Sequence, residues 1–122
     1  MRRDSDLIRT ILLTVEADER FEVFRLPDIA GYSDEAIYFH GRLLIERGFL
    51  RTVFPDQRAN QPWVCIRLTW EGYDFLDNIR DPAVWRKVKH SAAKVGSWSI
   101  DTLAAIAKSL ILAKVEALGL AA

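Results

Sequence analysis

Two short apolar segments with a polar loop between them interrupt a chain whose pattern is otherwise helical. The segments cover residues 49–54 and 63–68, and the loop at 55–62 begins and ends with proline. Proline cannot donate a ladder hydrogen bond, so the two prolines favour a turn over one continuous strand. The pattern predicts a β-hairpin with a long tip. The hairpin restricts the chain to a mixed α+β fold in which helices pack beside a small sheet.

The rest of the chain shows helical spacing of apolar residues, with capping residues at the boundaries. Residues of the capping type stand at four helix starts, at Ser33, Thr69, Asp81 and Ser99. Gly48 is placed to end the second helix. Residues 21–26 alternate apolar and charged side chains, which is typical of a short strand. The predicted helices cover residues 4–17, 33–48, 70–80, 82–96 and 99–118.

The composition is that of a globular domain. The 122 residues include 17 basic and 17 acidic side chains, which excludes nucleic-acid binding by bulk positive charge but allows a locally basic surface. Cys65 is the single cysteine, so no internal disulfide forms and the chain suits a reducing cytoplasm. The most apolar segment, residues 100–120, includes Lys108 and Lys114 as well as two acidic residues, and these charges exclude a transmembrane helix. We therefore expect a cytoplasmic protein without a membrane anchor.

The predicted order of helix, strand, helix, hairpin and helix is the winged-helix arrangement. Residues 45–50 resemble the end of a recognition helix entering the first wing strand, and residues 67–76 resemble the second wing strand entering the next helix. The chain is also similar to an uncharacterised family of bacterial and phage proteins, DUF2513. The similarity lies in residues 3–9, 11–13, 31–33, 40–44, 68–72, 77–81, 84–85 and 95–96.

The resemblance implies a winged-helix-like fold, often a phage or prophage setting, and no enzyme activity. We expect an α+β protein with a winged-helix core at residues 1–81 and an α-helical extension at residues 82–122. The segment 26–32 should hold the first helix of a helix-turn-helix, but Pro27 and Gly31 interrupt it. That helix is expected to be short or missing. In DNA-binding proteins it crosses the backbone and positions the recognition helix.

The helix at residues 33–48 has two different faces at 100° per residue. The face expected to pack on the core holds Ala36, Ile37, His40, Leu43, Leu44 and Arg47. The opposite face combines three carboxylates with Tyr38, Arg42 and Ile45. Ser33, Tyr38 and Arg42 are candidates for contacts with DNA bases. The carboxylates repel phosphate, however, and the mixture of aromatic and acidic residues equally fits a protein partner.

Two further segments are rich in basic and amide side chains. Residues 47–69 hold four arginines and a single aspartate, and Arg51 and Arg67 lie on the predicted strands. The candidate contacts of the hairpin with phosphates or a minor groove are Arg51, Arg58, Asn60 and Gln61. Residues 86–94 contain no acidic side chain, and the candidate phosphate contacts there are Arg86, Lys87, His90 and Lys94. Both segments are also compatible with ordinary solvated surfaces.

Residues with catalytic or metal-binding chemistry are sparse. His40 falls on the expected core face of its helix, where a structural histidine bonded to a backbone carbonyl is expected. No second histidine or cysteine lies at ligand spacing, and phosphate-loop and nucleophile motifs are absent. Cys65 alternates with apolar strand residues and is expected to pack. We expect no metal, no cofactor and no catalysis.

The last predicted helix has an apolar arc over about half of its circumference, wider than the stripe of an ordinary surface helix. We expect a homodimer whose contact is formed by Leu103, Ile106, Leu110, Ile111 and Val115. The competing interpretation is that the first helix together with Trp85 or Trp98 covers the whole arc within one chain. The sequence therefore predicts a small non-enzymatic winged-helix protein that binds DNA as a regulator. The alternative is a protein-interaction module on the same scaffold.

Overall fold

A computed structural model describes residues 1–18, 20, 25–54 and 64–120, without the side chains of residues 53, 54, 64 and 65. The described residues form five helices and one antiparallel pair of strands, which confirms the predicted α+β class. The elements are α1 (Ser5–Ala17), α2 (Asp34–Arg47), β1 (Leu50–Phe54), β2 (Val64–Leu68), α3 (Trp70–Ile79), α4 (Pro82–Val95) and α5 (Ile100–Ala117). The chain divides into two compact units, Met1–Asp74 and Phe75–Ala122, which we call unit 1 and unit 2. The domain boundary expected between residues 81 and 82 stays a prediction.

Helix α1 is capped by Asp4 and buries its apolar residues on one side. The Asp4 carboxylate accepts hydrogen bonds from the backbone N–H groups of Asp6 (2.9 Å) and Leu7 (3.1 Å). These groups have no partner inside the helix, so the cap satisfies them. The buried residues of α1 are Leu7, Ile8, Ile11, Leu12 and Val15, as predicted. Helix α1 packs against α2 and β2.

The connection between α1 and α2 contains no helix within the residues that the structure describes. Residues 26–33 are irregular chain with a turn at Gly31, whose φ of 88° is the left-handed conformation that glycine adopts readily. The first helix of a helix-turn-helix is absent from this stretch. Residues 21–24 of the predicted strand lie outside the described residues, and Arg25 and Leu26 are not in a strand.

Helix α2 begins and ends at the predicted caps. The Ser33 hydroxyl accepts a hydrogen bond from the Ala36 N–H at 3.1 Å. Gly48 ends the helix with a φ of 86°, and its N–H donates to the Ile45 carbonyl oxygen at 3.1 Å. The buried residues of α2 are Ile37, His40, Gly41 and Leu44. The expectation that Arg47 packs on the core is wrong: Arg47 is exposed, because it lies in the last turn, where its guanidinium reaches solvent over the Phe49 ring.

Strands β1 and β2 form the predicted hairpin. Leu50 lies opposite Leu68, and Thr52 lies opposite Ile66. Leu50, Ile66 and Leu68 are buried, so this face of the hairpin belongs to the core of unit 1. Alternation along a strand directs the intervening residues to the other face. The tip of the hairpin, residues 55–63, lies outside the described residues.

Thr69 connects the end of β2 to the start of α3 and to the end of α2. Its hydroxyl donates to the carbonyl oxygen of Gly48 and accepts a hydrogen bond from the Gly72 N–H at 3.0 Å. The Thr69 N–H donates to the carbonyl oxygen of Phe49, also at 3.0 Å. A Cβ atom at Gly72 would overlap with that same oxygen. Glycine is therefore required at residue 72 for α3 to begin this close to the hairpin.

Unit 2 contains α4 and α5, which pack against each other. The Asp81 carboxylate caps α4 by accepting hydrogen bonds from the N–H groups of Ala83 (2.7 Å) and Val84 (3.3 Å). Pro82 occupies the first turn, where its missing N–H costs nothing. The buried residues of the two helices are Val84, Trp85, Val88, Ala92, Leu103 and Ala107.

Helix α5 begins at the predicted cap, since the Ser99 hydroxyl accepts a hydrogen bond from the Thr102 N–H at 3.1 Å. It ends before Gly119, whose φ is 71°. In the described part of the chain, no helix combines the length and the apolar character needed to cross a membrane.

Candidate nucleic-acid interface

Two arginines face each other on the outer side of the hairpin. The register pairs Arg51 of β1 directly with Arg67 of β2. Both side chains point away from the buried face that holds Leu50 and Ile66, because strand residues alternate between faces. Arg51 is exposed and Arg67 is half-buried, and Arg67 donates from Nη1 to the carbonyl oxygen of Leu68 at 3.1 Å. The pairing brings together two cations that are 16 residues apart in the sequence.

No carboxylate forms an ion pair with either arginine among the described residues, where carboxylates pair instead with Arg20, Arg25, Arg42 and Arg80. Like charges that lie directly opposite across two strands are destabilising. Within the described part of the chain, the two guanidiniums are therefore positive groups without an ion-paired carboxylate. Of the other candidates in the hairpin, Arg58, Asn60 and Gln61 lie outside the described residues.

The candidates on α2 are already engaged in local contacts or are only partly exposed. The Ser33 hydroxyl is used by the helix cap. Arg42 is exposed and lies 3.9 Å from the Glu46 carboxylate, a weak surface ion pair. Tyr38 is 39% exposed on the same helix. Because Asp34 and Glu35 are exposed in the first turn, the outer face of α2 presents more negative than positive charge.

Helix α4 presents its candidate cations on the side away from its buried residues. Arg86, Lys87, His90 and Lys94 are all exposed. The amphipathic pattern follows from helical spacing, since Val84, Trp85, Val88 and Ala92 take up the buried side. Lys89 is half-buried, with its Nζ atom 5.8 Å from the centre of the Trp85 ring, and so belongs to the flank of this face.

The apolar arc of α5 is partly covered within the single chain. Leu103 is 1% exposed, so its side chain is not available to a partner. Ile106, Leu110, Ile111 and Val115 are half-buried. Leu112 (52%) and Leu118 (73%) are exposed near the end of the helix. Within unit 2, therefore, apolar surface remains accessible along the second half of α5.

A cleft of about 540 Å³ lies beside the hairpin, between the end of α2, strand β1 and the start of α3. Its charged lining residues are Arg47, Arg51 and Glu71, and Thr52 and Thr69 also line it. The sequence reasoning missed Arg47 as a surface residue. Its position directly before the helix-ending Gly48 is the signal that points to an exposed side chain.

The sequence reasoning also missed two exposed aromatic residues on α3. Trp70 is 79% exposed and Tyr73 is 45% exposed. At 100° per residue, the buried Gly72, Leu76 and Ile79 leave Trp70 on the opposite side of the helix. Exposed tryptophan and tyrosine are enriched at protein interfaces.

His40 is 2% exposed and has a structural role. The backbone N–H of Asp4 donates to its Nε2 atom at 2.7 Å. Nδ1 must then carry the ring proton, and it donates to the Ala36 carbonyl oxygen at 2.7 Å. Both ring nitrogens therefore form hydrogen bonds. The sequence predicted one of these bonds, the one to a backbone carbonyl. Among the described residues, no group of three or more side chains is arranged to bind a metal ion.

Tyr32 joins the same cluster, because its hydroxyl donates to the Asp4 carboxylate at 3.1 Å. Partial burial raises the pKa of Tyr32, and the hydrogen bond and negative charge of Asp4 raise it further. Asp4 thereby connects the start of α1 to α2 and to the turn before it.

The described residues define an α+β protein with an arginine-bearing hairpin and a basic helix. The family model described as Hypothetical protein (DUF2513) matches residues 2–99, and the chain belongs to this family. A relative from Haemophilus influenzae, described as an uncharacterized protein, is 31% identical over 113 residues, which cover 91% of this chain and 96% of the relative. No solved structure matches the chain.

Proposed function

We propose that this protein is a small non-enzymatic DNA-binding protein on a winged-helix scaffold, with α4 as its main contact to the phosphate backbone. The observation that carries the proposal is the exposed face of Arg86, Lys87, His90 and Lys94 on a helix that contains no acidic residue. Neutralising phosphates releases condensed counterions, which is the main source of sequence-independent affinity for DNA. The protein would act in the cytoplasm as a regulator, in a phage or prophage setting.

The other candidate surfaces support a smaller share of the proposed contact. Arg51 and Arg67 face outward on the hairpin, in the position of a wing that touches phosphates. Helix α2 is a weaker candidate, because its exposed carboxylates oppose approach to DNA and Arg42 already lies close to Glu46. Residues 25–33, the described stretch before α2, also lack the helix that normally fixes a recognition helix in the major groove. We therefore propose backbone contact rather than base reading through α2.

Binding of labelled duplex DNA of mixed sequence, followed by fluorescence anisotropy across a salt series, tests this proposal. We expect the logarithm of the affinity to fall linearly with the logarithm of the salt concentration. Lys87→Glu should weaken binding about fivefold or more and reduce the salt slope by about 1. Lys108→Glu makes the same charge change at an exposed site of α5 and should have a much smaller effect. Absence of binding at low salt, or equal effects of the two variants, contradicts the proposal.

A protein partner is the second candidate, favoured by the apolar surface that remains accessible on α5. We propose that the partner is a second copy of the chain, and that Ile106, Leu110, Ile111 and Val115 form the contact. Fully burying an exposed leucine or isoleucine side chain contributes about 1.5–3 kcal/mol, and each half-buried side chain can still contribute part of this, so several together favour association. Two copies would also present two basic helices in one symmetric particle, as suits palindromic DNA.

Light scattering at micromolar concentration tests the dimer. We expect the wild-type chain to have twice the monomer mass, and Leu110→Glu with Ile111→Glu to restore the monomer. Ser109→Glu introduces a charge at an exposed neighbouring site and should leave the dimer intact. A monomer mass for the wild type at every concentration overturns the dimer without affecting the proposed contact with DNA.

A further inference from the structure

We propose that Arg51 and Arg67 form a clamp for a single phosphate group on the outer face of the hairpin. The inference deepens the proposed function by assigning a discrete phosphate site. It depends on that function only for the source of the phosphate. The clamp is supported by the strand register, by the absence of a neutralising carboxylate among the described residues, and by the adjoining cleft.

The register fixes the separation of the two backbone positions. Residues directly opposite each other in an antiparallel pair have Cα atoms about 4.5–5.5 Å apart, and their side chains leave the same face. Arg51 and Arg67 occupy such a pair. A guanidinium is a planar fork of N–H donors that fits two oxygens of a phosphate. Two guanidiniums from neighbouring strands can therefore contact one tetrahedral anion, with Arg67 using the N–H groups that do not donate to the Leu68 carbonyl oxygen.

The arginine pair is costly to the hairpin unless an anion lies between the side chains. Cross-strand like charges destabilise a sheet, and a hairpin of two short strands has little stability to spare. Residues 1–74 carry thirteen acidic side chains against ten arginines, so carboxylates are abundant in this unit. None of the described carboxylates forms an ion pair with Arg51 or Arg67. The site is thus positive within a unit whose net charge is negative.

The cleft beside the hairpin extends the site on one side. Arg51 lines the cleft together with Arg47, Thr52 and Thr69, so a third guanidinium lies at its wall, whereas the Thr69 hydroxyl is already bonded to Gly48 and Gly72. Glu71 also lines the cleft and disfavours a second negative group deep inside it. This arrangement fits one phosphate at the arginines with the rest of the ligand lying toward the cleft. The phosphate belongs to a DNA backbone or to a free phosphate compound.

Thermal unfolding with and without inorganic phosphate tests the clamp, with chloride at equal ionic strength as the reference. Because removing one cation relieves the repulsion, Arg51→Gln and Arg67→Gln should each raise the melting temperature in chloride. Phosphate stabilises folded proteins in general, so the test is the difference: it should raise the melting temperature of the wild type clearly more than that of either variant. Arg25→Gln removes an equal charge at an exposed arginine that pairs with Asp28, and its response to phosphate should match the wild type. An equal rise for all proteins, or no rise for the wild type, overturns the clamp.

Calorimetric titration separates the two sources of phosphate. The ligands are inorganic phosphate and a dinucleotide with one phosphodiester, and Arg51→Gln should weaken whichever binds by about tenfold or more. Binding of the dinucleotide identifies the DNA backbone as the source, binding of inorganic phosphate alone identifies a free phosphate compound, and binding of neither overturns the proposal. Lys108→Glu, at an exposed site of α5 outside both proposed contacts, should not change these titrations. If Lys87→Glu leaves the affinity for duplex DNA unchanged while Arg51→Gln weakens the titrated ligand, the contact through α4 fails and the clamp stands.

Discussion

The two units carry their positive charge in different side chains. All ten basic residues of Met1–Asp74 are arginines, and all five lysines lie in Phe75–Ala122, together with two arginines. The signs of the net charge are also opposite: unit 1 has ten basic and thirteen acidic residues, and unit 2 has seven basic and four acidic residues. The zero net charge of the whole chain therefore conceals one acidic and one basic unit.

The difference between the units shows that the arrangement of a few cations and the total charge of a unit suit different kinds of binding. Lysine is a hydrated point charge on a flexible stem, which suits salt-dependent contact with many phosphates. Arginine presents a rigid fork, which suits one anion in one geometry. The exposed cations of α4 fit the first kind of binding. The pair of Arg51 and Arg67 fits the second, because it lies in a unit whose overall charge repels phosphate.

The largest effect that separates the units is expected from Gly72→Ala. A Cβ atom would overlap with the Phe49 carbonyl oxygen, so α3 and the hairpin must move apart. We expect the free energy of unfolding of unit 1 to fall by about 3 kcal/mol. In unit 2, Gly96 has a φ of 81° and open space where a Cβ atom would lie, so Gly96→Ala should cost about 1 kcal/mol.

Hydrogen exchange of the full-length variants measures both changes. If each unit opens by itself, Gly72→Ala should accelerate amide exchange in α1 and α2 while leaving α4 and α5 protected, and Gly96→Ala should do the reverse. Equal acceleration throughout the chain would show that the two units unfold together. Separate free energies of unfolding could then not be assigned to them.

An intermediate effect is expected from exchanging the two kinds of cation. Arg51→Lys with Arg67→Lys keeps the charge but removes both forks, so phosphate affinity should fall about tenfold. Lys87→Arg with Lys94→Arg keeps the charge of α4 and should change DNA affinity by about twofold at most. Titration of each variant with inorganic phosphate and with duplex DNA checks the pair of expectations. If both exchanges have the same effect, charge alone explains binding in the two units.

The smallest effect concerns pH and the cap of α4. Hydrogen bonds from the N–H groups of Ala83 and then Val84 hold the pKa of Asp81 below its ordinary value of 3.8. A lowered pKa in the folded state stabilises the protein above the ordinary value, and this contribution disappears as the pH falls through the lowered pKa.

Asp81→Asn keeps a capping side chain without the titrating group. When the pH is lowered from about 5 to about 2, the melting temperature of the variant should therefore fall slightly less than that of the wild type. Thermal unfolding across this range is the measurement, and an equal loss in both proteins would show that Asp81 does not couple to folding.

Much of the fold follows from local sequence signals. Ser33, Gly48, Thr69 and Asp81 are capping residues whose side-chain or backbone chemistry acts within a few residues, and each bounds an element where it was expected. The prolines around the hairpin tip and the alternation of the strands likewise depend on near neighbours. The interactions that compete with capping are also made between near neighbours. A short stretch of sequence is therefore enough to predict where these elements begin and end.

The candidate site was less predictable, since it depends on contacts between distant residues. Nothing in the local sequence states that Arg51 faces Arg67, because the register is set by the whole hairpin. The closeness of Gly72 to Phe49 and the exposure of Trp70 also depend on how α3 starts against the hairpin. Similarly, the sequence indicates the apolar arc of α5 but not that Leu103 is already covered within one chain.

The paired hydrogen bonds of His40 provide a spectroscopic marker of the native state. Its Nδ1 proton is buried and donated to the Ala36 carbonyl oxygen at 2.7 Å, so it exchanges slowly with water and should give a resolved downfield resonance. Since Nε2 accepts the Asp4 N–H, the two ring nitrogens should have clearly different ¹⁵N shifts. His90, the other histidine, is exposed and should average toward a single exchanging signal. The His40 resonance would report the docking of α1 on α2 in any variant of the chain, without an added label.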